Sequence, residues 1–258
     1  MHTVTTNDQP ILLPGLSGTS VAVTGGASGI GLATTLLAAR SGARVVAGDV
    51  NDNALADLSR VAADEGLDVV DVHLDVADPA SIDAFLSSAD QAGTLRGVVN
   101  AAGIADEAPA LEVSPELWHR HLAVNLTGTF LVCQGAARLM SQRPEGGSIV
   151  NVSSTAGVIG SARLSHYAAS KAGVIGLSKS FAKEWGQYGI RVNVVSPGAV
   201  DTPLYHQQSI KRDNITQLPL SRIGQPADLA LAIGYFLTDQ SGWVTGQNLN
   251  VNGGAFMQ

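Results

Sequence analysis

The sequence has 258 residues, 45% of them hydrophobic and 14% charged, which is too apolar for a disordered chain and enough to bury a large core. Its 15 Lys and Arg are scattered against 22 Asp and Glu, a net charge of -7, so the basic footprint of a nucleic-acid or anionic-membrane binder is absent. The one cysteine, Cys133, sits in an apolar stretch and reads as a buried, inert thiol, and with no run long enough to cross a bilayer a soluble cytoplasmic protein is expected.

After a polar arm over residues 1–14, Val21, Ala22 and Val23 predict a short strand that runs into the cluster Gly25, Gly26, Ala27, Ser28, Gly29, Ile30, Gly31. A helix over 31–41 and a strand over 44–48 that stops at Asp49 complete a βαβ unit. The alternation continues with a helix over 53–63, a strand over 69–74, a helix over 80–89 and a strand over 97–100. A long helix over 115–140, a strand over 148–152, a helix over 167–188 and a strand over 190–195 follow. Runs such as Ile149-Val150-Asn151-Val152 are nearly continuously apolar, as strands are when helices cover both faces of a parallel sheet. The expected fold is α/β, a doubly wound parallel sheet in one domain over 15–258, with no linker to divide it. In such folds ligands sit beyond the carboxyl ends of the strands.

The glycine cluster falls where a strand must turn sharply and let a pyrophosphate approach the backbone at a helix N-terminus. Its spacing departs from the usual G-x-G-x-x-G pattern, so it reads equally as a plain glycine-rich turn. Asp49 lies near the roughly 20-residue offset at which a carboxylate accepts hydrogen bonds from an adenosine ribose. The same acid could instead cap the next helix.

Among the four tyrosines, only Tyr167 has a lysine four residues later, which places Lys171 on the same helix face. A nearby ammonium favours phenolate and moves a phenol toward acid/base work at neutral pH, although such pairs are commonly simple surface contacts. Ser154 follows the strand over 148–152, with Ser153 as its rival for meeting a substrate oxygen. Asn125 reads either as a plain polar residue or as the holder of a water linking Lys171 to solvent. His119 and His121 read as ordinary helix residues and His166 as solvent-facing.

Taken together, Thr24-Gly25-x-x-x-Gly29-x-Gly31, Asn100-Ala101-Ala102-Gly103, Asn125, Ser154, Tyr167-x-x-x-Lys171 and Pro197-Gly198-x-x-x-Thr202 resemble the short-chain dehydrogenase/reductase family over nearly the whole chain. The resemblance implies a Rossmann-type fold in which Tyr167 exchanges the proton, Ser154 fixes the substrate oxygen, Lys171 tunes Tyr167 and holds the nicotinamide ribose, and Asn125 completes a proton relay. It implies an NAD site made by Gly25, Ser28, Gly29, Ile30, Gly31, Asp49, Asp75, Val76, Asn100, Ala101, Gly103, Tyr167, Lys171, Pro197, Gly198, Val200 and Thr202. Asp75 and Val76 would flank the adenine, and Val200 and Thr202 would hold the carboxamide. The family's usual Asn-Asn-Ala-Gly stands here as Asn100-Ala101-Ala102-Gly103. The resemblance further implies a homotetramer paired through the helices bearing Asn125 and Tyr167 and through residues 244–257, and a weaker possibility of a cation at the Gln258 carboxylate.

The expected activity is NAD(H)-dependent interconversion of a secondary alcohol and its ketone, with no metal. Two alternatives remain: a 3-oxoacyl-carrier-protein reductase, whose acidic partner and NADPH donor sit poorly with the acidic balance and Asp49, and a non-catalytic nucleotide sensor, which would not keep Ser154, Tyr167 and Lys171 intact. Substrate should be enclosed by residues 204–220, beginning at Leu204, with Ile104, Ala156, Val158 and Leu164, a mostly apolar set. Arg163, Tyr205 and His206 are polar residues the sequence leaves unplaced.

Overall fold

The computed structural model describes residues 12–208 and 218–257. Most of the polar arm, part of the expected 204–220 enclosure and Gln258 lie outside the described residues.

Seven parallel strands form one sheet: β1 (Ser20–Thr24), β2 (Arg44–Asp49), β3 (Val69–His73), β4 (Leu95–Asn100), β5 (Gly147–Val152), β6 (Ile190–Pro197) and β7 (Asn248–Val251). Their order is β3-β2-β1-β4-β5-β6-β7, a Rossmann-type arrangement whose direction of winding reverses between β1 and β4. A cleft beyond the carboxyl ends of those two strands follows from the topology.

Alternation of side chains along each strand explains why both faces are covered. Val21 and Val23 of β1 point into one core with Val45, Val99, Val150 and Val195, and there they meet Leu229 and Ile233. Ala22 points the other way, into a second core with Val46, Val98, Ile149, Met140, Phe181 and Trp185. The first face is covered by α1 (Gly29–Arg40) and α9 (Pro226–Leu237), the second by α3 (Pro79–Gln91), α5 (Thr129–Met140) and α7 (Ser165–Trp185).

Between β2 and β3, α2 (Asp52–Glu65) begins at Asn51, whose side chain accepts from the N–H groups of Asn53 and Ala54, and ends at Gly66 with φ +66°. Asp49 is therefore not the cap of that helix. α9 starts with Pro226 in its first turn and a capping box between Gln225 and Asp228. Arg222 grips the Asp228 carboxylate with both Nη atoms, at 2.6 and 2.9 Å, and this hydrogen bonding holds the carboxyl below its ordinary value.

The long helix expected over 115–140 is interrupted. α4 (Pro115–Leu122) passes into a π-helical turn, Ala123–Gly128, before α5 begins. Such insertions divert one residue's backbone bonds and tend to fall at working sites. Here the Asn125 carbonyl is taken up by the Thr129 hydroxyl at 2.9 Å. The expected strands over residues 21–195 all form, whereas α9 and β7 were not anticipated from the sequence.

Candidate active site

The turn from β1 into α1 is built on positions where a side chain cannot stand. Gly25 has φ +64°, and a Cβ there would lie 2.8 Å from the Ala102 nitrogen; a Cβ on Gly31 would lie 2.0 Å from the Gly25 carbonyl oxygen. The turn thus packs against the segment after β4 and leaves the N–H groups at the start of α1 facing outward, where the helix dipole favours an anion. Asp49, at the end of β2 and 9% exposed, braces the turn by accepting from the Ala27 N–H at 3.2 Å and from the Asn51 N–H at 3.1 Å.

A cleft of about 340 Å³ opens beside this turn, lined by Gly25, Ser28, Gly29, Ile30, Gly31, Asp49, Asp75, Val76, Ala101, Gly103, Ile104, Leu204 and Thr202. Ala102, inside the expected 100–103 stretch, lines it too, as do Val50, Leu74, Val124 and Pro203; the sequence reading missed these four, although each adjoins a residue it named. A second cavity of about 120 Å³ is bordered by Ser154, Ala156, Leu164, Tyr167, Lys171, Pro197, Gly198 and Val200. Ile30, Ala101, Gly103, Thr202 and Leu204 belong to both, so the two spaces adjoin.

Ser154, Tyr167 and Lys171 are thus brought together. Ser154 is the N-cap of α6 (Thr155–Ile159), and its Oγ accepts from the Ala156 N–H at 3.1 Å. The Ser153 hydroxyl is 2% exposed and donates to the Lys171 carbonyl at 2.8 Å. That commitment to α7 leaves Ser154 as the serine able to address a ligand. Lys171 Nζ lies 5.9 Å from the Tyr167 ring centroid and donates to the Val152 carbonyl at 2.9 Å. Burial pushes Lys171 down to about 8, because an ammonium in a low-dielectric site loses hydration that one carbonyl does not replace.

Asn125 is fully buried. Its amide donates to the Ile104 carbonyl and the Ser170 hydroxyl, and its Oδ1 accepts from the Ile104 N–H at 2.9 Å. A Cβ on Gly103 would lie 3.1 Å from Asn125 Oδ1 and 3.4 Å from Lys171 Nζ, which gathers those two polar atoms around the space a side chain there would fill.

Several expectations need correction. Asn100 borders neither cavity: it is 3% exposed and donates to Asn151 Oδ1 at 2.8 Å and to Cys133 Sγ at 3.3 Å, and Asn151 in turn reaches Ser178. It belongs to a buried polar network beneath the site, where burial also pushes the Cys133 thiol up to about 12. Val158 is half-buried on α6 but is not among the residues bordering the cavity, and Ile104 borders the larger cleft instead of the smaller one. His166 is not solvent-facing. It is 0% exposed, as is His121, because the first turn of α7 is covered by α4. Of the polar residues left unplaced, Tyr205 borders the small cavity with Gln208, His206 pairs with Asp201 at 2.6 Å, and Arg163 faces Glu107 from the surface.

Among the described residues no group of three His, Cys, Asp or Glu side chains is placed to hold a metal, and no helix is long and apolar enough to cross a membrane.

Comparisons with known proteins agree with this architecture. A family model described as enoyl-(acyl carrier protein) reductase matches residues 25–255. The chain is 41% identical to a 3-oxoacyl-[acyl-carrier-protein] reductase of Thermotoga maritima, over 93% of this chain and 98% of that protein. It is 39% identical to a D-threitol dehydrogenase of Mycolicibacterium smegmatis, over 93% of each. The crystal structure of a 3-oxoacyl-[acyl-carrier protein] reductase from Brucella melitensis superposes with a TM-score of 0.88 at 34% identity, covering 96% of this chain and 94% of that one. The chain belongs to the short-chain dehydrogenase/reductase family and is an oxidoreductase acting on CH–OH groups.

Proposed function

We propose that the chain uses NAD(H) to interconvert a secondary alcohol and its ketone, with Tyr167 as the acid/base. The observation that carries this reading is the convergence of Ser154, Tyr167 and Lys171 on one small cavity that adjoins the cleft beside the glycine turn. The cleft fits such a cofactor: a side-chain-free glycine turn faces the start of α1, and Asp49 stands at the end of β2. The Gly25–Gly31 turn would hold the pyrophosphate, Asp49 the adenosine ribose, Asp75 and Val76 the adenine surroundings, and Lys171, Val200 and Thr202 the nicotinamide end. When bound, the nicotinamide supplies or takes up the hydride.

The protein's own side chains do the rest. Ser154 Oγ donates to the substrate oxygen and fixes it. Tyr167 Oη gives its proton to that oxygen in reduction and removes it in oxidation. The buried Lys171 ammonium favours the phenolate of Tyr167, and Asn125, whose Oδ1 lies with Lys171 Nζ beside Gly103, is placed to continue the proton path. The pocket walls Ala156, Leu164 and Leu204 are apolar, which suits a compact carbon skeleton around a single oxygen.

The test is Tyr167→Phe, which keeps the ring and removes the proton. Turnover of ketone with NADH should fall at least about a thousandfold while NADH binding survives; near wild-type turnover refutes the assignment. A second reading, reduction of a 3-oxoacyl thioester, is favoured by the names of two of the relatives. A panel pairing simple ketones with 3-oxoacyl thioesters, each with NADH and NADPH, separates the two. The net charge of -7 works against docking an acidic carrier protein.

A further inference from the structure

The segment over residues 104–109, just after β4, packs behind the reaction cavity, and only its first residue, Ile104, borders the adjoining cleft. Ala105 packs with Ala156, Leu164 and Tyr167, and Ile104 is held through both its backbone groups by Asn125. Two residues on, both main-chain groups of Asp106 are gripped by histidines. His121 on α4 and His166 in the first turn of α7 meet edge to face, with ring centroids 4.2 Å apart and planes at 88°. The Asp106 N–H donates to His121 Nε2 at 3.2 Å, and the Asp106 carbonyl accepts from His166 Nε2 at 2.8 Å. His121 Nδ1 donates to the Leu117 carbonyl at 3.0 Å.

This pattern requires two different neutral tautomers, His121 protonated on Nδ1 and His166 on Nε2. His166 Nδ1 is then a buried acceptor with no hydrogen-bond partner among the described residues. A phenylalanine would fill the same space without that orphaned nitrogen, so packing does not account for an imidazole at position 166. The bond to Asp106 does. A further tie lies alongside, where the Ala108 N–H donates to the carbonyl of Arg163, a residue with φ +61°.

We propose that His166 and His121 are positioning residues for the reaction proposed above, on which this inference rests: they clamp the Asp106 main chain between α7 and α4 and so hold Ala105 in its packing against Tyr167. Neither imidazole borders either cavity, and Ile104, which borders the cofactor cleft, is held separately by Asn125, so the clamp acts on the ketone through Ala105 and Tyr167 and not on whether NADH binds.

The clamp works only while His121 is neutral. A proton on Nε2 would set an N–H against the Asp106 N–H and draw the ring toward the Asp106 carboxylate, 3.7 Å away. Arg120 Nη2, 3.4 Å from the same carboxylate, and His166 oppose that charge, while Glu107 and Arg163 pair with each other on the far side of the segment. Burial is the largest influence and holds His121 below its ordinary value. The clamp therefore persists above that lowered value and is lost as pH falls through it.

His166→Phe, His166→Gln and His121→Gln test the proposal through ketone kinetics with NADH, NADH affinity, and hydrogen exchange across residues 104–109. His166→Phe should lower kcat/KM for the ketone by about tenfold or more, with NADH affinity within about twofold of the parent, and should speed exchange in the segment. His166→Gln, whose Nε2 amide can donate to the same carbonyl, should recover most of both losses. His121→Gln keeps an acceptor that does not titrate, so the acid-side loss of segment protection seen in the parent should disappear.

A His166→Gln variant as impaired as His166→Phe, or unchanged exchange in His166→Phe, overturns the clamp. If His166→Phe does not fold, the acid-side exchange of His121→Gln against the parent decides, and an identical loss of protection overturns it. Absence of ketone turnover in the parent would refute the proposed function alone, because the exchange comparisons need no catalysis.

Discussion

Replacing Lys171 with methionine should make the protein more stable and, at the same time, inactive. The ammonium is 4% exposed, and burial brings it from 10.5 down to about 8. That difference corresponds to about 3 kcal/mol by which the folded state disfavours the charged lysine at neutral pH. Methionine removes the charge at similar length but leaves the Val152 carbonyl without its Nζ donor, which returns about 1 kcal/mol. The net gain at pH 7 is about 2 kcal/mol, a rise in Tm of about 4–8 °C for a chain of this size. The pH dependence has a fixed sign. Below about 8 both folded and unfolded parent carry the proton and the cost is complete; between about 8 and 10.5 the folded state sheds it while the unfolded state keeps it, so parental stability rises with pH. The advantage of Lys171→Met should shrink across that window. Urea unfolding of the cofactor-free proteins at pH 7 and pH 10, at one fixed protein concentration, measures it. A variant less stable than the parent at pH 7, or an advantage that does not narrow by pH 10, refutes the argument from burial.

Cofactor choice should follow Asp49. A 2'-phosphate at the end of β2 would face that carboxylate, with Val50 and Asn51 beside it and Ser28 in the turn offering no cation, so we expect NAD to be preferred by roughly a hundredfold in kcat/KM; Asp49→Ser with Val50→Arg should narrow or invert the ratio, and equal use of both cofactors by the parent would remove Asp49 from this role. Alcohol oxidation needs deprotonated Tyr167 and ketone reduction the protonated form, so initial rates in the two directions should respond oppositely to rising pH; superimposable profiles contradict it. A homotetramer is expected, because Trp118, Phe130, Leu249 and Met257 leave apolar surface on the helical stretch around Asn125 and on the C-terminal region named for pairing; light scattering that gives a monomer at micromolar concentration refutes it.

Much of this was legible in the sequence, for physical reasons. β1, β2, β4, β5 and β6 are buried on both faces, so each appears as an apolar run that stops at the edge of the sheet facing the site, at Thr24, Asp49, Asn100, Val152 and Pro197. β7 reads Asn-Leu-Asn-Val and is only half-buried at the sheet edge, so the cue of a continuous apolar run is missing. α9 carried its start signals in Gln225, Pro226 and Asp228, and they were overlooked. The tie between Ser153 and Ser154 could not be broken by spacing between strand and helix, because it depends on which hydroxyl the Lys171 carbonyl takes.

The remaining misreadings fall at one place and share one cause. His121, His166 and the π-helical turn lie, beside Asn125, where α4 and the segment after β4 meet α7, which is remote from both in sequence. Periodicity assigns a face to a residue from its neighbours along one helix, and by that rule a histidine beside the reacting tyrosine belongs to the solvent side. Here the other two stretches cover that side, so burial is set by contacts that no local rule contains. The polar bonds that compensate such burial go to backbone groups, Ile104 for Asn125 and Asp106 for both histidines. Any peptide can offer those partners, so they leave no trace in residue type. The same feature makes the region hard to read: its order depends on side chains fastened to main chain, beside the Ala105 that packs on Tyr167.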